Sequence, residues 1–253
     1  RLEGIVTFYL LGSILGILAV FAPICLFFCL LWGKDYFTLA EIQCWSGFAH
    51  NANSSEHVYP SDREYLSQFL RELSSRLKPA GILVTVAIPA KTVDDPKANW
   101  SGAFDYKAIG EAVDRIMIMA YDQHYTGGAP GPIASIGWVE KVLQFATSQV
   151  PPGKLILGIA GYGYSWLKPG NAYSVTYQKA VELAAQGSGI RWDATHKAPF
   201  AQYQGREMWF ENAASISYKL DLVNKYGIKG IALWRLGQED PQMWQVVASK
   251  LSI

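Results

Sequence analysis

The stretch Arg115-Ile-Met-Ile-Met-Ala-Tyr-Asp122 decides the fold. An uncharged apolar run lies between Arg115 and Tyr121, too short for a helix and without polar alternation. Such a run reads as a strand covered on both faces, the kind found in parallel sheets. Its C-terminal end carries a tyrosine and a carboxylate. In parallel α/β folds the C-terminal strand ends are where chemistry is placed.

Three more runs of this kind follow the same grammar: Gly81-Ile-Leu-Val-Thr-Val-Ala-Ile88, Leu155-Ile-Leu-Gly-Ile-Ala160 and Ile228 to Trp234. Helical patterns separate them. Ser61-Asp62-Arg63-Glu64 has the form of a capping box, with Leu66, Phe69, Leu70, Leu73 and Leu77 at helical spacing behind it. Tyr106 to Val113 is a short helix. Trp138, Val139, Val142, Leu143 and Ala146 form the apolar stripe of another, which Pro151-Pro152-Gly153 stops. Asn212–Tyr226 and a segment starting near Pro241 complete the set. Strands alternating with helices at this spacing predict right-handed βαβ units and a parallel sheet. The expected class is therefore α/β, a (β/α)8 barrel truncated to its C-terminal half, because four strands are legible where a closed barrel needs eight. Residues 161–211 break the rhythm and are expected to form an irregular insertion with one helix near 175–185.

The chain begins differently. Ile5 to Trp32 holds no charged residue, and its 28 positions exceed the roughly 20 apolar residues that span a bilayer as a helix. Residues 1–34 are expected to be a membrane anchor, since the run is longer than a signal peptide's and shows no clear small-residue cleavage site; residues 35–55 are a junction of unclear origin, and 56–253 the barrel portion. An alternative is that the first 55 or so residues are the product of an interrupted or misread gene.

Composition narrows the function. A net charge of +1 without a Lys/Arg cluster argues against nucleic acid as a partner. Cys25, Cys29 and Cys44 make neither a disulfide framework nor a metal-ligand spacing, and His50, His57, His124 and His196 are scattered. No cofactor and no metal are expected. Gly158-x-x-Gly161-x-Gly163 is followed by aromatics rather than a helix start, so it is not read as a phosphate loop. Nine tryptophans and fourteen tyrosines suit a cleft in which aromatic faces stack on sugar rings, although core packing accounts for most aromatics. Trp192, Tyr203 and Trp209 fit either reading.

The strand ends carry a more specific pattern. Met119-x-Tyr121-Asp122, Leu157-Gly-Ile-x-x-Tyr162-Gly163 and Gly230-Ile-Ala-Leu-Trp234 resemble glycoside hydrolase family 18 in order and spacing. Phe104-Asp105-Tyr106, Ala120-Tyr121-Asp122-Gln123-His124 and Trp234-Arg235-Leu236-Gly237-Gln238-Glu239-Asp240 resemble its spore cortex-lytic and spore-germination branch. The likeness runs from about Glu56 to the C-terminus. It implies retaining, substrate-assisted hydrolysis of an N-acetylglucosamine-containing glycan, peptidoglycan of the spore cortex or a chitin-like polymer. It also implies a secreted protein of a bacterial cell wall or spore envelope, which the apolar run 5–32 would make membrane-anchored. By the resemblance Glu56 is the acid, Tyr121 and Asp122 hold the acetamido group, Met119 and Tyr162 line the subsite, and Trp234 floors it.

One departure stands out. The family motif D-x-x-D-x-D-x-E, aligned on Glu56, meets Ala49, Ala52 and Ser54 where its aspartates belong. Serine cannot supply the charge that stabilises a cationic intermediate, so weak or absent hydrolysis is expected. A non-catalytic glycan-binding module is the alternative.

Overall fold

The structure is a computed structural model that describes residues 39–43, as backbone only, and 58–251. The apolar run 5–32, the three cysteines, and residues 44–57 with Glu56 lie outside the described residues. Among the described residues no helix is long and apolar enough to cross a membrane.

The chain divides into two compact units. The first comprises the described residues up to 118 and the segment 149–154. Its elements are β1 (Leu39–Gln43), α1 (Arg63–Leu77), β2 (Leu83–Pro89), α2 (Tyr106–Ala112) and β3 (Arg115–Met119), whose last residue belongs to the second unit. β1 runs parallel to β2, with Leu39 opposite Leu83 and Gln43 opposite Ala87, and β3 follows β2 in the sheet order. Val84, Val86, Ile88, Ile116 and Ile118 are fully buried, as uninterrupted apolar runs demand. β1 was not legible as a strand: Leu39-Ala-Glu-Ile-Gln43 is short and carries polar residues, and only its partner reveals it.

The capping box expected at Ser61–Glu64 does not form. Pro60–Asp62 make a 3-10 turn instead, and Asp62 precedes α1 without a side-chain cap. Glu64 is drawn away by Arg71, 2.7 Å distant. Arg63 anchors the helix start, reaching Asp94 (2.7 Å), Asp105 (2.8 Å) and the Gly102 carbonyl (2.7 Å). Asp105 in turn caps α2 through the Ala108 amide, and the Tyr106 hydroxyl donates to the Pro89 carbonyl at 2.6 Å. The Phe104-Asp105-Tyr106 motif is thus explained by what it ties together around the end of β2.

The second unit holds residues 119–148 and 155 onward. After α3 (Ile136–Gln149, its final residue in the first unit), β4 (Leu155–Ala160) runs parallel to β10 (Gly230–Trp234), with Trp234 opposite Ala160. β10 is half-buried along its whole length and stands last in the sheet order among the described residues. α5 (Ala213–Tyr226) and α6 (Met243–Leu251) pack on each other. α5 carries a true capping box, Asn212 accepting from the Ser215 amide while Ser215 Oγ accepts from the Asn212 amide.

The stretch 161–211 is regular, contrary to expectation. It folds into β5 (Tyr162–Lys168), β6 (Asn171–Thr176), α4 (Tyr177–Ala185), β7 (Arg191–Asp193), β8 (Ala198–Tyr203) and β9 (Arg206–Phe210). The strands make an antiparallel sheet in the order β6-β5-β9-β8-β7. Along β5 tyrosine and tryptophan alternate with glycine and serine, a period-2 pattern that puts the three rings on one face while Gly163 and Ser165 are buried on the other. That pattern was hidden by reading the aromatics as a loop.

Candidate active site

β3 delivers Met119 at its end, and the chain then places Tyr121 and Asp122 in the following turn. Asp122 sits in the left-handed region at φ 59°, where a non-glycine residue is uncommon. Its Oδ1 accepts two hydrogen bonds, from the Tyr162 hydroxyl at 2.7 Å and the Tyr164 hydroxyl at 2.9 Å. Both tyrosines come from β5. Because side chains at i and i+2 share a face of a strand, Tyr162, Tyr164 and Trp166 stand in a row, their rings edge to face at 5.4 and 5.6 Å. Tyr121 meets Tyr162 edge-on at 6.4 Å. Asp122 Oδ2 makes no hydrogen bond among the described residues.

Burial raises the Asp122 pKa above the ordinary aspartate value, and the two tyrosine hydroxyls, which favour the ionised form, oppose part of that rise. The same burial, followed by the Asp122 charge, pushes both tyrosine hydroxyls well up, so they remain donors throughout the neutral range. The result is a carboxyl held by one oxygen and offering the other.

Trp234 reaches this place from β10. The Gly161 amide donates to the Trp234 carbonyl at 2.7 Å, fixing the end of β10 against the β4–β5 junction, and the Trp234–Arg235 peptide bond is cis. The indole packs with Tyr121 against the aromatic cluster of Tyr162, Tyr164, Trp166 and Trp209. Gly163 is required where β5 crosses β9: a Cβ there would lie 2.3 Å from the Trp209 carbonyl oxygen. The loop after Asp122 is fixed too. The Gln123 amide donates to the Ile133 carbonyl, Gln123 Oε1 accepts from the Ser135 amide, and His124 Nδ1 lies 2.9 Å from the Pro132 carbonyl oxygen.

Of the residues expected to form the site, Tyr121, Asp122 and Tyr162 come into mutual contact, and Trp234 joins their cluster. Met119 ends β3 half-buried and is not a member of that cluster. Glu56 lies outside the described residues. Tyr164 is the residue that sequence reasoning missed, though its period-2 spacing from Tyr162 carried the signal. Glu239 and Asp240 are engaged just ahead of α6: Asp240 accepts from the Ala213 and Gln242 amides, and Glu239 from the Gln238 amide and the Trp244 indole. Among the described residues no group of three or more His, Cys, Asp or Glu is arranged to hold a metal ion.

Comparison with known proteins gives consistent matches. The sequence profile of glycosyl hydrolases family 18 matches residues 43–239, beginning before Glu56. The cortical fragment-lytic enzyme of Bacillus subtilis (strain 168) is 34% identical over 209 residues, covering 78% of this chain and 48% of that protein. The spore cortex-lytic enzyme SleL of Bacillus cereus superposes with a TM-score of 0.71 at 39% identity, over 76% of this chain and 47% of that one. A chitinase from Chromobacterium violaceum ATCC 12472 superposes with a TM-score of 0.75 at 30% identity, over 86% of this chain and 66% of that one. The chain spans about half the length of the curated relatives it matches first.

Proposed function

Because the chain belongs to glycosyl hydrolases family 18, we propose that it engages an N-acetylhexosamine glycan at the strand ends carrying Tyr121, Asp122 and Trp234. The parallel strands are taken as part of a (β/α)8 barrel, and the glycan as the peptidoglycan of a bacterial spore cortex or envelope. The observation that carries this reading is the Asp122 carboxyl. It is clamped through Oδ1 by two hydroxyls, while Oδ2 is left for a donor such as an acetamido N–H.

The steps follow from the groups present. The sugar stacks on Trp234, and its acetamido N–H donates to Asp122, which turns the acetamido oxygen toward the anomeric carbon. Glu56 donates its proton to the glycosidic oxygen as that bond breaks. The acetamido oxygen bonds to the anomeric carbon, giving an oxazolinium ion and a free hydroxyl on the departing sugar. Glu56, now a carboxylate, takes a proton from water, whose oxygen attacks the anomeric carbon and restores the acetamido group with net retention.

The weak element is the surrounding charge. Ala49, Ala52 and Ser54 stand where aspartates support the cationic intermediate in the family motif. Loss of one preorganised electrostatic partner lowers a rate by about 10²–10³. The proposal is therefore strong glycan binding with slow hydrolysis. The test pairs two measurements on the full chain with soluble muropeptide: a binding isotherm, and release of reducing ends. Slow release abolished by Glu56→Gln supports the impaired enzyme. Binding without release supports a glycan-binding module, the reading that Ala49, Ala52 and Ser54 favour. No binding at all refutes both.

A further inference from the structure

We propose that the antiparallel sheet carries a second saccharide site, selective for glycan bearing carboxylates, at the end remote from Asp122. A cleft of about 620 Å³ opens there between the β5–β6 and β8–β9 hairpin ends and the turn after α4. Its volume lies within the roughly 300–1,000 Å³ of small-molecule sites. It is not the site already described. Tyr162 and Lys168 are the two ends of β5, and a strand advances about 3.3 Å per residue, so roughly 20 Å separates them.

The lining is built for hydroxyls and charge. Gln202 and Gln204 bring planar amides with both donors and acceptors, and Tyr203 brings an aromatic ring. Arg206 is held in place by Ser165, Nε donating to Oγ at 3.0 Å and Nη2 to the carbonyl at 2.7 Å, and it lies 4.5 Å over the Tyr173 ring. This preorganisation leaves Nη1 without a partner among the described residues, so little side-chain entropy is lost when it binds. Lys168 forms no ion pair among the described residues. Glu207 spends one oxygen on the Trp209 indole at 2.6 Å. Two cations against one engaged carboxylate make the cleft net positive.

The turn at the rim is also unusual. Gln204 has φ 48° and Gly205 φ 73°, the paired positive values of a tight hairpin. Asparagine or glycine suits the first position better, so glutamine there displays a long amide at a conformational cost. The opposite wall is equally tight, since a Cβ on Gly187 would lie 2.1 Å from the Gln202 carbonyl oxygen.

A polymer of neutral N-acetylhexosamine gives the two cations nothing to pair with. A glycan whose sugars carry lactyl or peptide carboxylates does. The choice of ligand rests on the glycan-binding function proposed above, and the cleft adds a second contact that a neutral chitin-like chain would not make.

The experiment uses the full chain labelled with ¹⁵N and two probes, a disaccharide-peptide muropeptide and chitotetraose. Two variants separate the sites: Lys168→Glu with Gln204→Gly in the cleft, and Asp122→Asn with Trp234→Ala at the strand ends. Glycine relieves rather than adds strain at 204, and a thermal melt checks the fold of each variant. Muropeptide is expected to shift the amides of Leu167, Lys168 and residues 203–207, and the cleft variant to lose those shifts with about tenfold weaker binding there, the size of one charge-assisted hydrogen bond. The strand-end variant keeps the cleft shifts. Absent cleft shifts, or cleft shifts that chitotetraose reproduces and Lys168→Glu leaves intact, overturn the proposal. Cleft shifts with no strand-end response overturn the function proposed above instead.

Discussion

The folded pKa of Asp122 lies above its unfolded one because burial outweighs the two hydroxyl bonds. The folded state thus holds this proton more tightly. Its stabilising contribution is complete below the unfolded aspartate pKa and is lost as pH rises through the folded value. Asp122→Asn removes the titration. The stability of wild type relative to this variant should fall as pH rises through and beyond the ordinary aspartate range, read from urea midpoints at successive pH values; a flat difference contradicts the burial argument. Tyr164→Phe deletes one donor to the ionised form at a cost of about 1–2 kcal/mol. It should raise the pH at which chito-oligosaccharide affinity develops. Gly163→Ala pushes a methyl into the Trp209 carbonyl and should cost about 3 kcal/mol or prevent folding. Tyr121, Asp122, Tyr162 and Trp234 were legible in the sequence because each ends a strand or follows one. Tyr164 was not, because its role depends on a strand that the sequence disguised.

Elements were legible wherever a long period repeated. All four apolar runs are strands and each helical stripe is a helix, while helix starts followed side-chain competition that spacing cannot reveal: Glu64 went to Arg71, and a capping box formed at Asn212. Asn212→Ala should lower stability by about 1 kcal/mol, measured by thermal or urea unfolding. The return from β9 into α5 rests on a buried pair. Glu211 Oε2 accepts from Lys219 Nζ at 2.7 Å and from Ser215 Oγ, with both charged side chains almost fully covered. Lys219→Met strands a buried carboxylate and should cost about 3–5 kcal/mol. Adding Glu211→Leu should recover most of the loss, because packing two apolar side chains removes the desolvation that the ion pair had to offset. A double-mutant cycle reads this directly, and additive losses contradict it.

At the scale of the molecule, the parallel α/β plan was legible, whereas the second sheet was not. Its strands are short and joined by turns of ordinary composition, so only pairing across the sheet identifies them. The expected anchor and Glu56 lie outside the described residues, and the proposed function is tested at this scale by ligand. Trp234→Ala should weaken binding of a soluble N-acetylhexosamine oligomer by about 1–3 kcal/mol, as loss of an aromatic stacking surface does. An unchanged isotherm would remove Trp234 from the site.

The antiparallel sheet leaves and rejoins the rest of its unit at one place. Gly163 pairs with Phe210, and the Glu211 amide donates to the Tyr162 carbonyl. Residues 163–210 are therefore a cartridge with adjacent terminals, one that can be exchanged for a foreign sheet or a short turn without rerouting the chain. The exchange would not be silent at the far side of the seam. Tyr164 travels with the cartridge, so whichever segment is plugged in also sets the acidity of Asp122, and a library of inserts would double as a dial for the pH at which that carboxyl ionises.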